Sequence, residues 1–204
     1  MKVIAGIDAS SNKTGIAVFK DGEYVCHTLI DCHKEKDVYK RIPLMADKIW
    51  EYLNSVSPID AIIMEKSVLR SNIDTVQKLS NIAGAIMLYA FQNDIEFNHP
   101  NPPEWRKKIG LQQSSKIKRE ILKLEAIKAV NQEYGIEVTD DEAEAILIAR
   151  SGFDLPKIVI TAEDVEDDFW GDLDWKLYST AILYTIQNYF IIMEEFYYEG
   201  QGNF

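Results

Sequence analysis

The chain has 204 residues, 47% of them hydrophobic and 27% charged, with a formal net charge of −11. That composition supports one packed domain with room for an appendage, and it excludes a disordered or collagen-like chain. No run approaches the ~20 consecutive apolar residues of a membrane span, and residues 1–10, MKVIAGIDAS, acquire charge too early for a secretion signal.

Cys26 and Cys32 form neither a metal-ligand spacing nor a disulfide framework, so a cytoplasmic location is expected. The negative charge speaks against nucleic-acid binding at first sight. It is unevenly placed, however. Residues 151–204 carry −9, which leaves −2 on residues 1–150, and a near-neutral body can still present a basic face.

In chain order, residues 2–8 (KVIAGID) read as a buried strand and residues 14–20 (TGIAVFK) as a second. Asp21-Gly22 is a two-residue hairpin signal, and residues 23–31 (EYVCHTLID) follow as a third strand. Residues 37–56 have helical spacing, with Val38, Ile42, Met45, Ile49, Tyr52 and Leu53 on one face. Residues 60–65 (DAIIME) are a short apolar strand ending in Glu65. A helix is expected over residues 74–93, capped by Asp74, and a fifth strand over residues 95–99, broken by Pro100, Pro102 and Pro103. Ser114 or Ser115 can cap a long helix that Gly135 ends. Thr139 or Asp140 can cap the helix DEAEAILIAR. Three antiparallel strands followed by βα units predict an α/β fold, a mixed five-stranded sheet flanked by helices, and this order resembles the RNase H-like fold. Residues 1–150 form this domain. Residues 151–204 form an acidic extension with an apolar, aromatic-rich helix over 175–198, for packing or dimerisation.

Phosphodiester hydrolysis by two divalent cations needs several hard oxygen ligands converging from separate elements. Asp8 ends the first strand and Glu65 ends a strand expected to lie parallel beside it, so both emerge at the strand ends where ligand sites of α/β sheets lie. Asp141 and Glu144 are spaced i, i+3 and share a helix face, with Ala143 and Ala145 permitting close packing on the sheet. Asp140 is the alternative if the register is one residue off. Taken singly, each acid has a plain structural reading as a turn, a solvated strand end or an acidic first helical turn. The ordered set points to a metal site for Mg²⁺ or Mn²⁺, two ions per site.

Arg106, Lys107, Lys108, Lys116, Lys118, Arg119 and Lys123 place seven positive charges within eighteen residues, beside Trp105. Such residues bind phosphates without reading sequence. Lys66 and Arg70 beside Glu65 are further candidates for DNA contact. The three histidines, His27, His33 and His99, are scattered and read as surface or structural residues.

The stretches GIDASSNKTGIAVF, IIMEKS with NIDTVQKLSNIAGAIMLYA, WRKKIGLQQSSKIKRE and DDEAEAILIA together resemble the RuvC-type Holliday junction resolvases, in a divergent form such as a phage version, over residues 3–150. The resemblance implies a metal-dependent endodeoxyribonuclease acting on branched DNA, with Asp8, Glu65, Asp141 and Glu144 as metal ligands and Lys116 as a catalytic-site lysine. It implies a homodimer, matched to the two-fold symmetry of a four-way junction. This chain departs from the family in having Glu144 where Asp is usual. It also has Val68 and Leu69 where the bacterial enzymes carry an aromatic wedge. Two other classes stand beside this one. The first is a binding module that keeps the fold without the chemistry. The second is an actin-like phosphotransferase, whose phosphate loop GIDASSNKTGIAV resembles but whose second domain and Gly-Gly adenosine motif are missing.

Overall fold

The computed structural model describes residues 1–67, 73–111 and 118–159. The expected contributions of Val68, Leu69, Arg70, Ser114, Ser115, Lys116, Trp170, Trp175 and the helix over 175–198 lie outside the described residues.

Five strands form one sheet in the order β3-β2-β1-β4-β5. β1 (Val3–Asp8) pairs antiparallel with β2 (Lys13–Lys20), and β2 with β3 (Glu23–Asp31). Asp21 and Gly22 both take positive φ, 52° and 90°, as the primed hairpin turn requires. β4 (Ala61–Met64) runs parallel to β1 in the register Ile7↔Met64, and β5 (Glu96–Asn98) runs parallel to β4. This is the expected RNase H-like α/β architecture.

Alternation along the strands sorts the sheet into two cores. Ala5, Ile7, Ile16, Val18, Ile62 and Met64 face α1 (Val38–Ser55) and α2 (Ile73–Gln92). Ile4, Ala17, Phe19, Ala61 and Ile63 face α3 (Pro102–Ile109), α4 (Arg119–Tyr134) and α5 (Asp140–Arg150). Burying an Ile of this kind is worth about 1.5–3 kcal/mol relative to exposure. Positions 4, 6 and 8 of β1 and positions 61, 63 and 65 at β4 share the second face. Asp8 and Glu65 are therefore carried toward α5 by strand periodicity alone.

Three local expectations change. α4 starts at Arg119 with Lys118, not Ser114 or Ser115, at its N-cap. Asp74 lies inside the first turn of α2 rather than capping it. Pro102 and Pro103, read as a strand break, are the first two residues of α3, where a missing N–H costs nothing. The Asn101 backbone N–H donates to Glu104 Oε2 at 2.9 Å, and Gly110 ends the helix at φ 95°. Other ends fall where the residues predict. Thr139 and Glu142 form a capping box on α5, and Gly135 closes α4 at φ 66°.

α5 rests on the sheet at two glycines. A Cβ on Gly6 would stand 2.3 Å from Ala149 N and 2.4 Å from Ala145 O, and one on Gly15 would stand 2.1 Å from Asp141 O. Gly15 is the register partner of Asp8. Gly6→Val is expected to destabilise the chain by about 3 kcal/mol, since backbone atoms cannot yield to a branched side chain. A melting-temperature drop of roughly 6–12 °C checks this, and an unchanged melting temperature would show that α5 does not dock there.

Candidate active site

Asp8, Glu65, Asp141 and Glu144 come from β1, the residue after β4, and the first two turns of α5. Asp8 keeps some accessible area but is densely surrounded by protein atoms. Its carboxyl is pushed well above the usual carboxylate range, first by burial and then by the charges of Glu144, Glu65 and Asp141; Arg119 opposes them. Glu65 is raised to about 7, first by burial and then by Glu144, with Trp105, Arg106 and Arg119 pulling it down. Asp141 is raised by burial and by Asp140, against Lys123, Lys13 and Arg119. Four carboxylates thus act on one another at one end of the sheet.

Asp140 faces elsewhere. Lys123 of α4 donates to its Oδ2. Burial works to raise the Asp140 carboxyl, but Lys123 and backbone N–H groups outweigh it and hold the group below its ordinary value. Asp140 is not among the charges that raise Asp8. Glu142 is taken up by the cap: the Thr139 backbone N–H donates to its Oε2 at 2.8 Å.

Among the described residues, no three Asp, Glu, His or Cys side chains stand in ready-made metal-ligand geometry. Like charges repel, and two of the four acids already have donors. The Trp105 indole Nε1–H donates to Glu65 Oε2 at 2.7 Å, and Arg106 Nη2 donates to Glu144 Oε1 at 2.5 Å. The donor chemistry nevertheless fits a hard divalent cation, because all four groups are carboxylates and their mutual repulsion is only partly offset by Arg106 and Arg119.

The basic residues divide. Lys66, Lys107, Lys108, Lys118 and Arg119 are exposed. Arg106, expected among the DNA-contacting bases, is corrected: it is 2% exposed, buried on α3 and paired with Glu144. Trp105 is 1% exposed and turned inward as well. Lys123 is engaged by Asp140. The sequence reading missed Lys13, which acts on Asp141 from the start of β2. The only signal was its place two residues before Gly15, the register partner of Asp8.

A mixed sheet in this order, with acids from β1, β4 and the α5 helix on one face, defines an RNase H-like α/β protein. The family model for crossover junction endodeoxyribonuclease RuvC matches residues 4–149, and the chain belongs to that family. No curated protein matches the chain. Among solved structures, Thermus thermophilus RuvC in complex with Holliday junction substrate is similar at 17% identity and a TM-score of 0.59, over 74% of this chain and 92% of that one. A second Thermus thermophilus RuvC structure matches at 18% identity and a TM-score of 0.56, over 73% of this chain and 92% of that one. At these identities the likeness speaks for the fold. No helix among the described residues is long and apolar enough to cross a membrane.

Proposed function

We propose that the chain is a structure-selective DNA endonuclease that resolves Holliday junctions or related branched DNA. The observation that carries this reading is that Asp8, Glu65, Asp141 and Glu144, all half-buried, lie at one end of the sheet where the other three raise Asp8, in a member of the RuvC family. Asp8, Glu65, Asp141 and Glu144 would hold Mg²⁺ or Mn²⁺, two ions per site. When bound, such ions supply an activated water and charge stabilisation at the leaving oxygen. Asp141 is favoured over Asp140 as a ligand because Asp141 acts on Asp8, whereas Asp140 is turned to Lys123 of α4.

The chain's own residues then supply binding and charge. Lys66, Lys107, Lys108, Lys118 and Arg119 are exposed and free to meet phosphates, and Lys116 and Arg70 join them on sequence grounds. Arg119 acts on Asp8, Glu65 and Asp141, so its charge would be available to a phosphate bound at these acids. Hydrolysis would leave a 5′-phosphate and a 3′-hydroxyl. The glutamate at 144 has a longer reach than the family's usual aspartate, which bears on metal preference.

The test is a synthetic four-way junction incubated with the protein in Mg²⁺, in Mn²⁺ and in EDTA. Symmetric, metal-dependent nicks are the expected result. Binding without cleavage in either metal would favour a non-catalytic junction-binding protein and sink the nuclease.

Paired nicking calls for two copies. α2 offers a face for this: Met87, Leu88 and Phe91 are exposed (45, 48 and 84%), and a Cβ at Gly84 would meet nothing within 4 Å. A stripe of this kind is costly to leave in water. Leu88→Glu with Phe91→Glu is expected to convert a dimer into a monomer in sedimentation velocity and to replace paired nicks with single ones. A wild-type chain that sediments as a monomer with junction bound would refute this dimer.

A further inference from the structure

Two of the four site carboxylates are held by neighbouring residues of one short helix. Trp105 and Arg106 are both buried, at 1% and 2% exposure. An apolar side chain would fill either position without a polar penalty. The indole N–H and the guanidinium both need partners there, and both partners are site glutamates. The Trp105 N–H reaches Glu65 Oε2 at 2.7 Å, and Arg106 Nη2 reaches Glu144 Oε1 at 2.5 Å. The guanidinium carbon lies 4.7 Å from the centre of the Trp105 ring, so each side chain also steadies the other. Among the described residues, Arg106 Nη1 is buried with no hydrogen-bond partner and Glu144 is the ion-pair partner of the guanidinium, whose charge also acts on Glu65 and Glu125. The platform is stiff: Asn101 and Glu104 cap α3, Pro102 and Pro103 start it, and Gly110 stops it.

We propose that Trp105 and Arg106 are positioning residues for the metal site. Trp105 orients the Glu65 carboxylate, and Arg106 is the internal counter-ion that holds Glu144 until a divalent cation takes over its charge. Neither side chain reaches the surface to touch DNA. The two act differently because one is neutral and the other charged. The Trp105 donor fixes one oxygen of Glu65 without competing for its charge, so its loss lowers cation affinity by the 10- to 100-fold typical of groups that orient metal ligands. Loss of Arg106 leaves Glu144 beside Asp8 and Glu65 uncompensated. The metal-free chain is then weakened, and the cation restores more than it does in the wild type.

The inference rests on the reading of the four carboxylates as cation ligands, and the experiment separates the two. Mn²⁺ is titrated calorimetrically into the full chain, and melting is recorded in EDTA and in Mn²⁺, for wild type, Asp8→Asn, Trp105→Phe and Arg106→Gln. The wild type is expected to bind Mn²⁺ and Asp8→Asn to lose most of that binding. Trp105→Phe is expected to bind 10- to 100-fold more weakly. Arg106→Gln is expected to melt roughly 6–20 °C lower in EDTA and to show a larger Mn²⁺-induced shift than wild type. If wild type binds no Mn²⁺, the metal-site reading falls and the positioning roles with it. If wild type binds and both variants keep its affinity and its Mn²⁺-induced shift, the positioning roles alone are overturned. Should Trp105→Phe fail to unfold cooperatively, Arg106→Gln decides: equal losses in EDTA and in Mn²⁺ would make Arg106 a packing residue only.

Discussion

Asp8→Asn is expected to lower the rate of four-way junction cleavage by roughly 10³-fold or more while leaving junction binding and the fold intact. The carboxamide has nearly the shape of the carboxylate but neither its charge nor its affinity for a hard cation. Metal-assisted stabilisation is worth several kcal/mol, and each 1.36 kcal/mol is tenfold in rate. Asp8 lies at the centre of the cluster, where burial and three other carboxylates make its own charge costly. The neutral side chain removes that cost, so the variant should melt at or above the wild-type temperature in EDTA. Cleavage assays in Mg²⁺ and Mn²⁺, with melting curves alongside, check both halves. A variant that cuts at the wild-type rate would remove Asp8 from the chemistry.

The second large effect is on stability. In EDTA the chain is expected to become less stable as pH rises from about 5 to 8. Glu65 is raised from its ordinary 4.5 to about 7, so between those values the folded chain binds more protons than the unfolded one. Stability then falls with pH. The contribution is fully present below about 4.5 and lost as pH passes about 7. Asp8, raised by burial and its neighbours, adds in the same direction. The Glu65 share alone is on the order of 2–3 kcal/mol, or roughly 4–12 °C in melting temperature. Mn²⁺ is expected to reverse it at pH 8 and to do little at pH 5, because ligand carboxylates must shed protons to bind metal. Melting curves across this range with EDTA or Mn²⁺ give the answer. Stability in EDTA that stays level or rises with pH would mean that the carboxylates do not repel one another as placed.

Much of this architecture follows from short stretches of sequence. Short, nearly continuous apolar runs in VIAGID and KTGIAVFK specify buried strands. Asp21-Gly22 specifies the turn between β2 and β3, because few other pairs tolerate two positive φ angles. Thr139 with Glu142 specifies the start of α5. Each is a local preference, decided within about four residues, and each is legible without the fold. The strand periods also carry Asp8 and Glu65 to one face, and the i, i+3 spacing of Asp141 and Glu144 is visible in the residues themselves.

What the sequence could not display depends on partners about 20 to 40 residues away. WRKKIG reads as one basic run, yet Trp105 and Arg106 turn inward while Lys107 and Lys108 stay exposed. The direction of each side chain is set by how α3 docks, and α3 itself was hidden because its prolines look like breakers. The choice between Asp140 and its neighbours likewise turns on Lys123, a residue of another helix. By itself the sequence determined the five strands, every helix but α3, and which acids reach the end of the sheet, because those are matters of local period and turn chemistry. Only the tertiary structure decided which bases are spent inside the protein and which acids they hold, because a buried charge settles on whichever partner the packing brings within hydrogen-bond reach.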